Sequence, residues 1–245
     1  MPTIRASSQR IETVVLKLSG SLFFSEEFER VASTLIKVLK KNSSLRLVIV
    51  AGGGSTAREY IGIARKLGAD QATQDEIGIA VSRVNAQVLA AAMGGVARQE
   101  VPKSLSEMVK LSELDTSSRH AVVMGGLHPG QSTNAVGALA AEKLKAKQFL
   151  NATDVDAVYS KDPKKYPDAK PIRKVTASEL EKILGSESMQ AGGYDLMDPI
   201  ALKLIERSRI PTWIMKCKSK VIEKALVEGK PEGTEIVFDR QNKIS

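Results

Sequence analysis

Residues 45–58 of the chain read LRLVIVAGGGSTAR, and this run indicates the fold class. Its first half, Leu45–Ala51, is apolar and rich in β-branched side chains, which predicts a strand buried on both faces. Thr56 and Glu59 have the spacing of a helix-capping box, so a helix is expected directly after the three glycines. A strand, a glycine-rich loop and a helix in this order are typical of an open parallel sheet, in which ligands bind beyond the carboxyl ends of the strands.

The rest of the chain repeats this alternation of strands and helices. A capping pattern opens a long predicted helix that should turn one aliphatic stripe inward, namely Ile77, Val81, Val84 and Val88. A weaker strand is expected at residues 96–101. Further apolar runs predict strands at residues 13–18, 121–124, 148–152, 212–215 and 234–238. The chain is therefore predicted to be an α/β protein with an open, mainly parallel central sheet and helices on both faces.

The composition is that of an ordinary globular protein. The 245 residues are 42% hydrophobic and 26% charged, which excludes a disordered chain, a coiled coil and a collagen-like repeat. This length suits one large α/β domain or two small ones. The single cysteine, Cys217, excludes an internal disulfide and a cysteine-based metal cage, so a reducing cytoplasm is the expected compartment.

Neither the N-terminal region nor the least charged stretch of the chain predicts a membrane segment, since Lys17 interrupts the apolar run at residues 14–22. Residues 121–141 carry no charge but contain Gly125, Gly126, Pro129 and Asn134, so the stretch is too polar and too broken to span a bilayer. Residues 1–12 are expected to form a loose N-terminal arm. We expect no membrane partner.

The net charge of +8 has two interpretations. Residues 143–174 hold nine of the basic residues against four aspartates, and aromatic residues, which would stack on bases, make up only 4% of the chain. This excess is either a solvated face or a field that attracts anionic small molecules. A nucleic-acid binder is the remaining alternative, but no nucleic-acid partner is expected.

Polar, glycine-rich segments follow four of the predicted strands, at residues 17–21, 52–55, 125–133 and 153–162. The carboxyl ends of parallel strands meet at one edge of a sheet, so these segments should meet there too. Glycines let backbone N–H groups approach an anion, and a following helix N-terminus favours negative charge. The pattern therefore predicts a phosphate site.

Two standard phosphate motifs fit poorly. The P-loop pattern is absent from the chain. Gly52, Gly54 and Ala57 match the dinucleotide pattern G-x-G-x-x-A, and Asp70 lies at the right distance. However, Asp70 should then end a second strand, and the residues before it end a predicted helix instead.

Two cations and two carboxylates stand out in these segments. Lys17 interrupts an apolar strand, and Arg58 lies one turn into the helix after the glycines; both are candidates to neutralise a transferring phosphoryl group. Asp154 and Asp156, expected on one side of an extended segment, are candidates to hold Mg²⁺ or orient lysines. His128 suits a ligand-binding donor as well as a base, and no catalytic role is assigned to it.

Five ordered stretches carry a resemblance to a known family. They read KLSGS at 17–21, VAGGGSTAREYI at 50–61, MGGLHPGQSTNAVGALAAE at 124–142, ATDVDAVYSKDP at 152–163 and AGGYDLMDPIALKLIERSRI at 191–210. Together they resemble the amino acid kinase family, and the HPGQST loop resembles its archaeal UMP kinase branch. The resemblance covers residues 13–238.

The resemblance implies a three-layer α/β/α sandwich with two lobes. Residues 13–148 would hold the acceptor, UMP, and residues 149–245 would hold ATP. The implied reaction moves the γ-phosphoryl group of ATP to UMP to give UDP in pyrimidine nucleotide biosynthesis, with Mg²⁺ accompanying ATP and no metal site of the protein's own. It also implies a homo-oligomer, with a hexamer favoured.

The family motifs further imply roles for individual residues. Lys17 and Asp156 would be catalytic, with Lys17 stabilising the transferring group and Asp156 close to the metal or the lysine. The expected ATP contacts are Gly20, Ser21, Gly54, Arg58, Thr153, Asp154, Tyr159 and Asp162. The expected UMP contacts are Gly53, Asp75, Leu127, His128, Pro129, Gly130, Gln131, Ser132 and Thr133.

Residues 153–159 of this chain depart from the family pattern at one position. The family usually has glycine there, in TDVDGVY, whereas this chain has Ala157. If that position needs a positive φ, alanine would cost about 1 kcal/mol; otherwise the turn differs slightly. Lys161 is a candidate second cation for the phosphates. Two other functions stay open: a kinase of another small acceptor on the same fold, and a non-enzymatic nucleotide-binding storage or regulatory module.

Overall fold

A seven-stranded sheet organises the computed structural model of the protein. The structure describes residues 11–114, 120–163, 165–185, 196–229 and 231–238. The strands of the sheet lie in the order β3-β2-β1-β4-β8-β9-β7, and a separate antiparallel pair joins β5 to β6. The strands are β1 Glu12–Leu18, β2 Leu45–Ala51, β3 Ala121–Met124, β4 Gln148–Thr153, β5 Val158–Tyr159, β6 Pro171–Ile172, β7 Lys174–Thr176, β8 Thr212–Lys216 and β9 Thr234–Val237.

All pairs from β3 through β8 are parallel, and only the β8–β9 pair of this sheet is antiparallel. β1 lies at the centre between β2 and β4, with Lys17 opposite Val50 and Asn151. The carboxyl ends of these three strands and of β3 therefore lie side by side. The predicted open, mainly parallel sheet is confirmed.

Helices cover both faces of the sheet. Helices α1, α3 and α8 bury apolar side chains against one face, and α4, α5, α6 and α7 against the other. The helices are α1 Glu27–Lys41, α2 Gly54–Lys66, α3 Gln71–Met93, α4 Leu105–Glu113, α5 Thr133–Lys143, α6 Ala177–Gly185, α7 Pro199–Ser208 and α8 Ser219–Glu228. Two short 3₁₀ helices span Gly20–Phe24 and Gly94–Val96. The three-layer α/β/α sandwich is confirmed.

The direction of the side chains on β1 follows from strand alternation. Leu16 and Leu18 belong to the core on the α1 face, whereas Val15 belongs to the core on the α5 face. Lys17 is an even number of residues from Val15, so its side chain starts on the α5 face. A Cβ added to Gly137 of α5 would lie 3.7 Å from the Cβ of Lys17, which confirms this placement.

The predicted inner face of α3 is wrong. Val84 and Val88 are 57% and 47% exposed, while Ser82 and Asn85 are buried. The buried polar groups are satisfied, because Ser82 Oγ donates to the Ile79 carbonyl at 2.7 Å and Asn85 Nδ2 to the Gly52 carbonyl at 2.8 Å. The predicted stripe therefore points outward at Val84 and Val88, and the apolar residues of α3 that pack into the core are Ala86, Leu89, Ala90 and Met93 instead.

Three local predictions also differ from the structure. The expected strand at residues 96–101 is reduced to one bridge between Ala97 and Ala121. α3 begins earlier than its predicted cap, at Gln71, because Asp70 accepts a hydrogen bond from the Thr73 amide at 2.8 Å. α2 likewise begins at Gly54, before the predicted capping box.

The predicted segment boundaries shift slightly. β1 already begins at Glu12, and the predicted lobe boundary after residue 148 falls inside β4. The two-lobe assignment stays a prediction. Residues 1–10 of the expected arm, Lys164, and the residues 191–195 that open the fifth resembling stretch lie outside the described residues.

Residues Gln71–Val96, comprising α3 and the turn after it, are long and apolar enough to cross a membrane by length and composition alone. One such helix is weak evidence for a membrane span, and it lies outside the stretch that the sequence pointed to. The buried Gln74 of α3 donates to the Ala69 carbonyl at 2.8 Å and, like Ser82 and Asn85, bonds within the protein. These bonds explain α3 as a packing helix of the sandwich.

Candidate active site

Two adjoining clefts lie at the carboxyl ends of the central strands. The first, of about 270 Å³, lies over β1 and β4, and the second, of about 240 Å³, lies over α2, α3 and the loop after β3. Gly53, Gly54, Arg58, Ser132 and Thr133 line both clefts. The two clefts therefore meet over the glycine loop and the N-terminus of α5.

The floor of this meeting point is made of backbone. A Cβ added to Gly20 would lie 2.0 Å from the amide nitrogen of Gly54, closer than any side chain allows. Gly54 also has a φ of +70°, a conformation that favours glycine. The loops after β1 and β2 can approach this closely only because both residues lack a side chain.

Two helix N-termini face the clefts. α2 begins at Gly54 and α5 at Thr133, and both residues line both clefts. Unpaired N–H groups at the start of a helix and the helix dipole favour an anion. The meeting point of the clefts is therefore suited to phosphate groups.

Lys17 brings a buried positive charge to the first cleft. The residue is 9% exposed and lines the cleft beside Ser19 and Gly20. Arg58, on the first turns of α2, is exposed and lines both clefts. A charge held in a site of low dielectric acts more strongly on a developing charge than one in water.

Carboxylates balance these cations at the far side of the first cleft. Asp154 and the buried Asp162 line it together with Thr153. The Ser21 hydroxyl donates to Asp154 Oδ1, and Lys216 Nζ, from the end of β8, donates to the Asp154 carbonyl. These bonds connect the loop after β4 to both β1 and β8.

Asp156 and Tyr159 form a pair outside both clefts. The Tyr159 hydroxyl donates to Asp156 Oδ1 at 3.0 Å, and burial, followed by the Asp156 carboxylate, raises the pKa of Tyr159. The extended segment expected to place Asp154 and Asp156 on one side does not form, because β4 ends at Thr153. Of these two carboxylates, Asp154 lines the first cleft and Asp156 does not. Lys161 also lies outside the clefts and pairs with Asp168 at 2.7 Å.

The wall of the second cleft is fixed by α3. Arg83 Nε donates to the Gly126 carbonyl at 3.0 Å and Arg83 Nη2 to the Leu127 carbonyl at 3.1 Å. The Gly126 amide in turn donates to Ser82 Oγ at 2.8 Å, and the Gly130 amide to Asp75 Oδ2 at 2.7 Å. Asp75, Ser82 and Arg83 of α3 thus hold the loop after β3 in place.

Residues 12–216 match the model of the amino acid kinase family. The chain belongs to the amino acid kinase family. The match spans the loops that line both clefts, so the clefts lie within the part of the chain that defines the family.

Relatives within the amino acid kinase family share most of the chain. This chain is 42% identical over 224 residues to a protein from Methanoregula boonei named uridylate kinase. The aligned residues make up 91% of this chain and 94% of that protein. A uridylate kinase from Sulfurisphaera tokodaii is 42% identical over 226 residues, 90% of this chain and 97% of that protein. The solved uridylate kinase of Archaeoglobus fulgidus is 39% identical with a TM-score of 0.80, covering 91% of this chain and 99% of that one. The resemblance inferred from the five stretches is confirmed.

The structure brings most of the residues implied by the amino acid kinase resemblance to the two clefts. The first cleft contains Lys17, Gly20, Ser21, Thr153, Asp154 and Asp162, together with the five shared residues. The second contains Asp75 and Gln131, again with the shared residues. Six implied residues line neither cleft: Leu127, which is buried, the exposed His128, Pro129 and Gly130, and the pair Asp156 and Tyr159.

Ala157 replaces the family glycine without backbone strain. Among the described residues, Lys145 and Arg209 are the only non-glycines with a positive φ, so Ala157 does not need the left-handed conformation. Its side chain is buried, at 4% exposure. The alternative that the turn differs slightly from a glycine turn is therefore the one that the structure favours.

Two residues that line the first cleft have no role predicted from the sequence, although both lie in the stretches that resemble the family. Asn134, on the first turn of α5, and Leu196, before α7, both line it. Asn134 Nδ2 and Asn151 Nδ2 donate to the Leu196 carbonyl at 3.3 Å and 2.9 Å. A pattern search for charged groups and glycines passes over such amides, although an asparagine within an apolar strand, as at 151, is a usable signal.

Proposed function

We propose that this amino acid kinase family member is an ATP-dependent UMP kinase, which transfers the γ-phosphoryl group of ATP to UMP and forms UDP for pyrimidine nucleotide biosynthesis. The observation that carries the proposal is the meeting of two clefts over one glycine loop, flanked by a buried lysine. The relatives named uridylate kinase at 42% identity support UMP as the acceptor.

In this proposal the first cleft takes ATP and the second takes UMP. The first cleft has Lys17 at its base and the Ser21–Asp154 contact at its wall, which suits a polyphosphate chain and its counter-ion. The second cleft carries Asp75 and Gln131, which suit the hydroxyl and N–H groups of a nucleoside. The terminal phosphates would then meet where the clefts share Gly53 and Gly54.

The proposed chemistry is a direct in-line transfer with no covalent enzyme intermediate. Lys17 neutralises charge on the transferring group, and Arg58 and the N-termini of α2 and α5 stabilise the phosphates on either side of it. The closely packed glycine backbones hold the phosphoryl donor and the acceptor at fixed positions. The reaction then proceeds between two bound groups that are already aligned, rather than between molecules that must first meet in solution. The protein then acts by positioning and electrostatics rather than by covalent chemistry.

Mg²⁺ fits the first cleft as a companion of ATP. Among the described residues no group of three or more His, Cys, Asp or Glu side chains could hold a metal ion, whereas two carboxylates, Asp154 and Asp162, line this cleft. Mg²⁺ typically uses one or two carboxylates plus substrate phosphates and water, so this donor set suits it. When bound, the ion would neutralise negative charge on the phosphate chain.

We also propose that the protein acts in the cytoplasm as a homo-oligomer, with a hexamer favoured by its family. Val84 and Val88 of α3, and Ile63 and Leu67 at the end of α2, are each 47–82% exposed. Exposed aliphatic side chains one turn apart on a helix are suited to a contact between copies of the chain.

A coupled assay of ADP release tests the proposed function. The purified protein is given Mg²⁺ and ATP with UMP, CMP or single amino acids as acceptors. UMP-dependent ADP release that exceeds release with the other acceptors supports the proposal. Preference for another acceptor would point to a different kinase, and ATP binding without acceptor-dependent release would point to a storage or regulatory module.

A further inference from the structure

Two helix N-termini beside the clefts are joined to each other. Ser132 caps α5, because its Oγ accepts a hydrogen bond from the Ala135 amide at 3.0 Å. Asp198 caps α7, because its Oδ1 accepts one from the Ala201 amide at 3.0 Å. The Ser132 hydroxyl then donates its proton to the second carboxylate oxygen, Oδ2, of Asp198. Each cap therefore fixes the orientation of the other.

The two partners differ in their relation to the clefts. Ser132 lines both clefts, at the point where they meet, whereas Asp198 lines neither. Asp198 lies two residues after Leu196, whose carbonyl accepts from Asn134 Nδ2 and Asn151 Nδ2. Residues 196–198 are thus held against β4 and the N-terminus of α5 by three side-chain bonds. Asn134 and Leu196 line only the first cleft, so the Ser132–Asp198 bond is the one of the three that reaches the point where both clefts meet.

The bond controls a side chain that could otherwise rotate. The hydroxyl of serine turns freely between staggered positions unless a partner fixes it. Asp198 offers a charged acceptor, and a hydrogen bond to a carboxylate is about twice as strong as a neutral one. Because the Ser132 hydroxyl donates to Asp198, its oxygen stays oriented to accept from the Ala135 amide. This holds the first turn of α5 in place.

We propose that Asp198 is a positioning residue for phosphoryl transfer, acting through Ser132 on the N-terminus of α5 where the two clefts meet. This inference rests on the proposed function, because a positioning residue needs a reaction to serve. In this role the segment before α7 helps to align the two nucleotides, in addition to starting the helix.

Asp198→Asn separates this role from helix capping. Asparagine caps a helix as well as aspartate does, so Oδ1 can still accept from the Ala201 amide. Its amide nitrogen would replace Oδ2 and donate to Ser132, which leaves the serine proton without this acceptor. We expect kcat to fall about tenfold, with the KM for ATP changed by less than about twofold, since misplacement at the reacting centre acts on the transition state.

Asp70→Asn is the matched control. Asp70 caps α3 through Oδ1 and the Thr73 amide, as Asp198 caps α7, but it lines neither cleft. The control should keep the kcat of the wild type, and both variants should unfold at similar temperatures. Ser132→Ala should lose at least as much kcat as Asp198→Asn, and the double variant should lose no more than Ser132→Ala, because both changes break one bond.

Three results would overturn the inference: an unchanged kcat in Asp198→Asn, multiplying effects in the double variant, or an equal loss in Asp70→Asn. A wild type that releases no ADP with UMP would refute the proposed function and this inference with it. An active wild type with an equally active Asp198→Asn variant would refute this inference alone.

Discussion

The backbone of Gly20 lies against the backbone of Gly54, so closely that a Cβ on Gly20 would lie 2.0 Å from the Gly54 nitrogen and 2.5 Å from its Cα. The two residues follow neighbouring parallel strands, β1 and β2. Their contact therefore sets the distance between the two loops on which the clefts meet.

Gly20→Ala should separate these loops and remove most of the activity. The new methyl group meets backbone, which cannot turn aside as a flexible side chain can. A shift of about 1 Å at the reacting centre can lower the rate about 100-fold, and overpacking costs about 1–3 kcal/mol of stability. The steady-state rate with ATP and UMP and the thermal unfolding midpoint measure the two effects.

Gly62→Ala provides the control for this variant. Gly62 lies inside α2, and a Cβ there would have nothing within 4 Å. Alanine should raise stability by about 0.5–1 kcal/mol and leave the rate unchanged. Equal rates in the two variants would show that the contact between the loops does not set the geometry of transfer.

Lys17→Met should lower kcat far more than it raises KM. Methionine fills a similar volume in this buried place but removes the charge that is proposed to stabilise the transferring group. Loss of one such electrostatic contact typically costs about 100- to 1,000-fold in kcat. The measurement is kcat and KM for ATP and UMP at saturating partner substrate.

Lys161→Met tests whether any lysine near the ATP side has this effect. Lys161 pairs with Asp168 and lines neither cleft, so this variant should keep a rate within about twofold of the wild type. The role given to Lys17 would fail if Lys17→Met turned over normally, and Lys161 would regain its place as a candidate phosphate cation if its variant lost activity.

The sequence predicted the sheet and the site loops because both depend on local signals. The strand Leu45–Ala51 has the same bounds in the structure, and Asp198 with Pro199 starts a helix as their residue types predict. The inner face of α3 could not be predicted in this way. The aliphatic stripe of Ile77, Val81, Val84 and Val88 is typical of a buried face. Ser82 and Asn85 are nevertheless buried, because the loops of the site supply their hydrogen-bond partners.

Within the candidate active site, too, contacts between residues far apart in the sequence could not be predicted. Glycines and charged residues near strand ends locate the clefts, because they are unusual there. Ser132 and Asp198 are 66 residues apart, and nothing local to either predicts their contact. The position of Tyr159 and Asp156 beside each other and outside the clefts depends likewise on where β4 ends.

Replacing Val84 and Val88 with lysine should reduce the size of the proposed homo-oligomer. Both side chains are exposed on α3, and two charges would make their burial between copies of the chain costly. Lysine has a good helix propensity, so the helix itself should persist. Light scattering after size exclusion gives the mass, and circular dichroism checks the fold.

Val227→Lys is the control for this pair. Val227 is 66% exposed on α8 and should be replaceable without a change in mass. If the α3 double variant keeps the mass of the wild type, or if the wild type is a monomer, the proposed contact through α3 is wrong.

Cys217 should react with thiol reagents more slowly in the folded protein than in the unfolded chain. Burial raises the pKa of its thiol from 9.0 to about 12, and its amide donates to the Thr153 carbonyl at 2.8 Å beside the first cleft. Because the thiolate is the reactive form, iodoacetamide at pH 8 should label the native chain at least about tenfold more slowly than the chain in denaturant. Mass spectrometry of timed samples measures both rates.

The raised pKa of Cys217 also predicts how the free energy of unfolding changes at alkaline pH. Between pH 9 and about 12 the unfolded chain loses the thiol proton while the folded chain keeps it. The unfolded state then binds fewer protons, so this group's contribution to the free energy of unfolding falls as pH rises through that window. Cys217→Ala should therefore show a smaller loss of stability than the wild type between pH 8 and pH 10 in urea unfolding. Native labelling as fast as in denaturant, or equal losses of stability in the two proteins, would contradict the raised pKa.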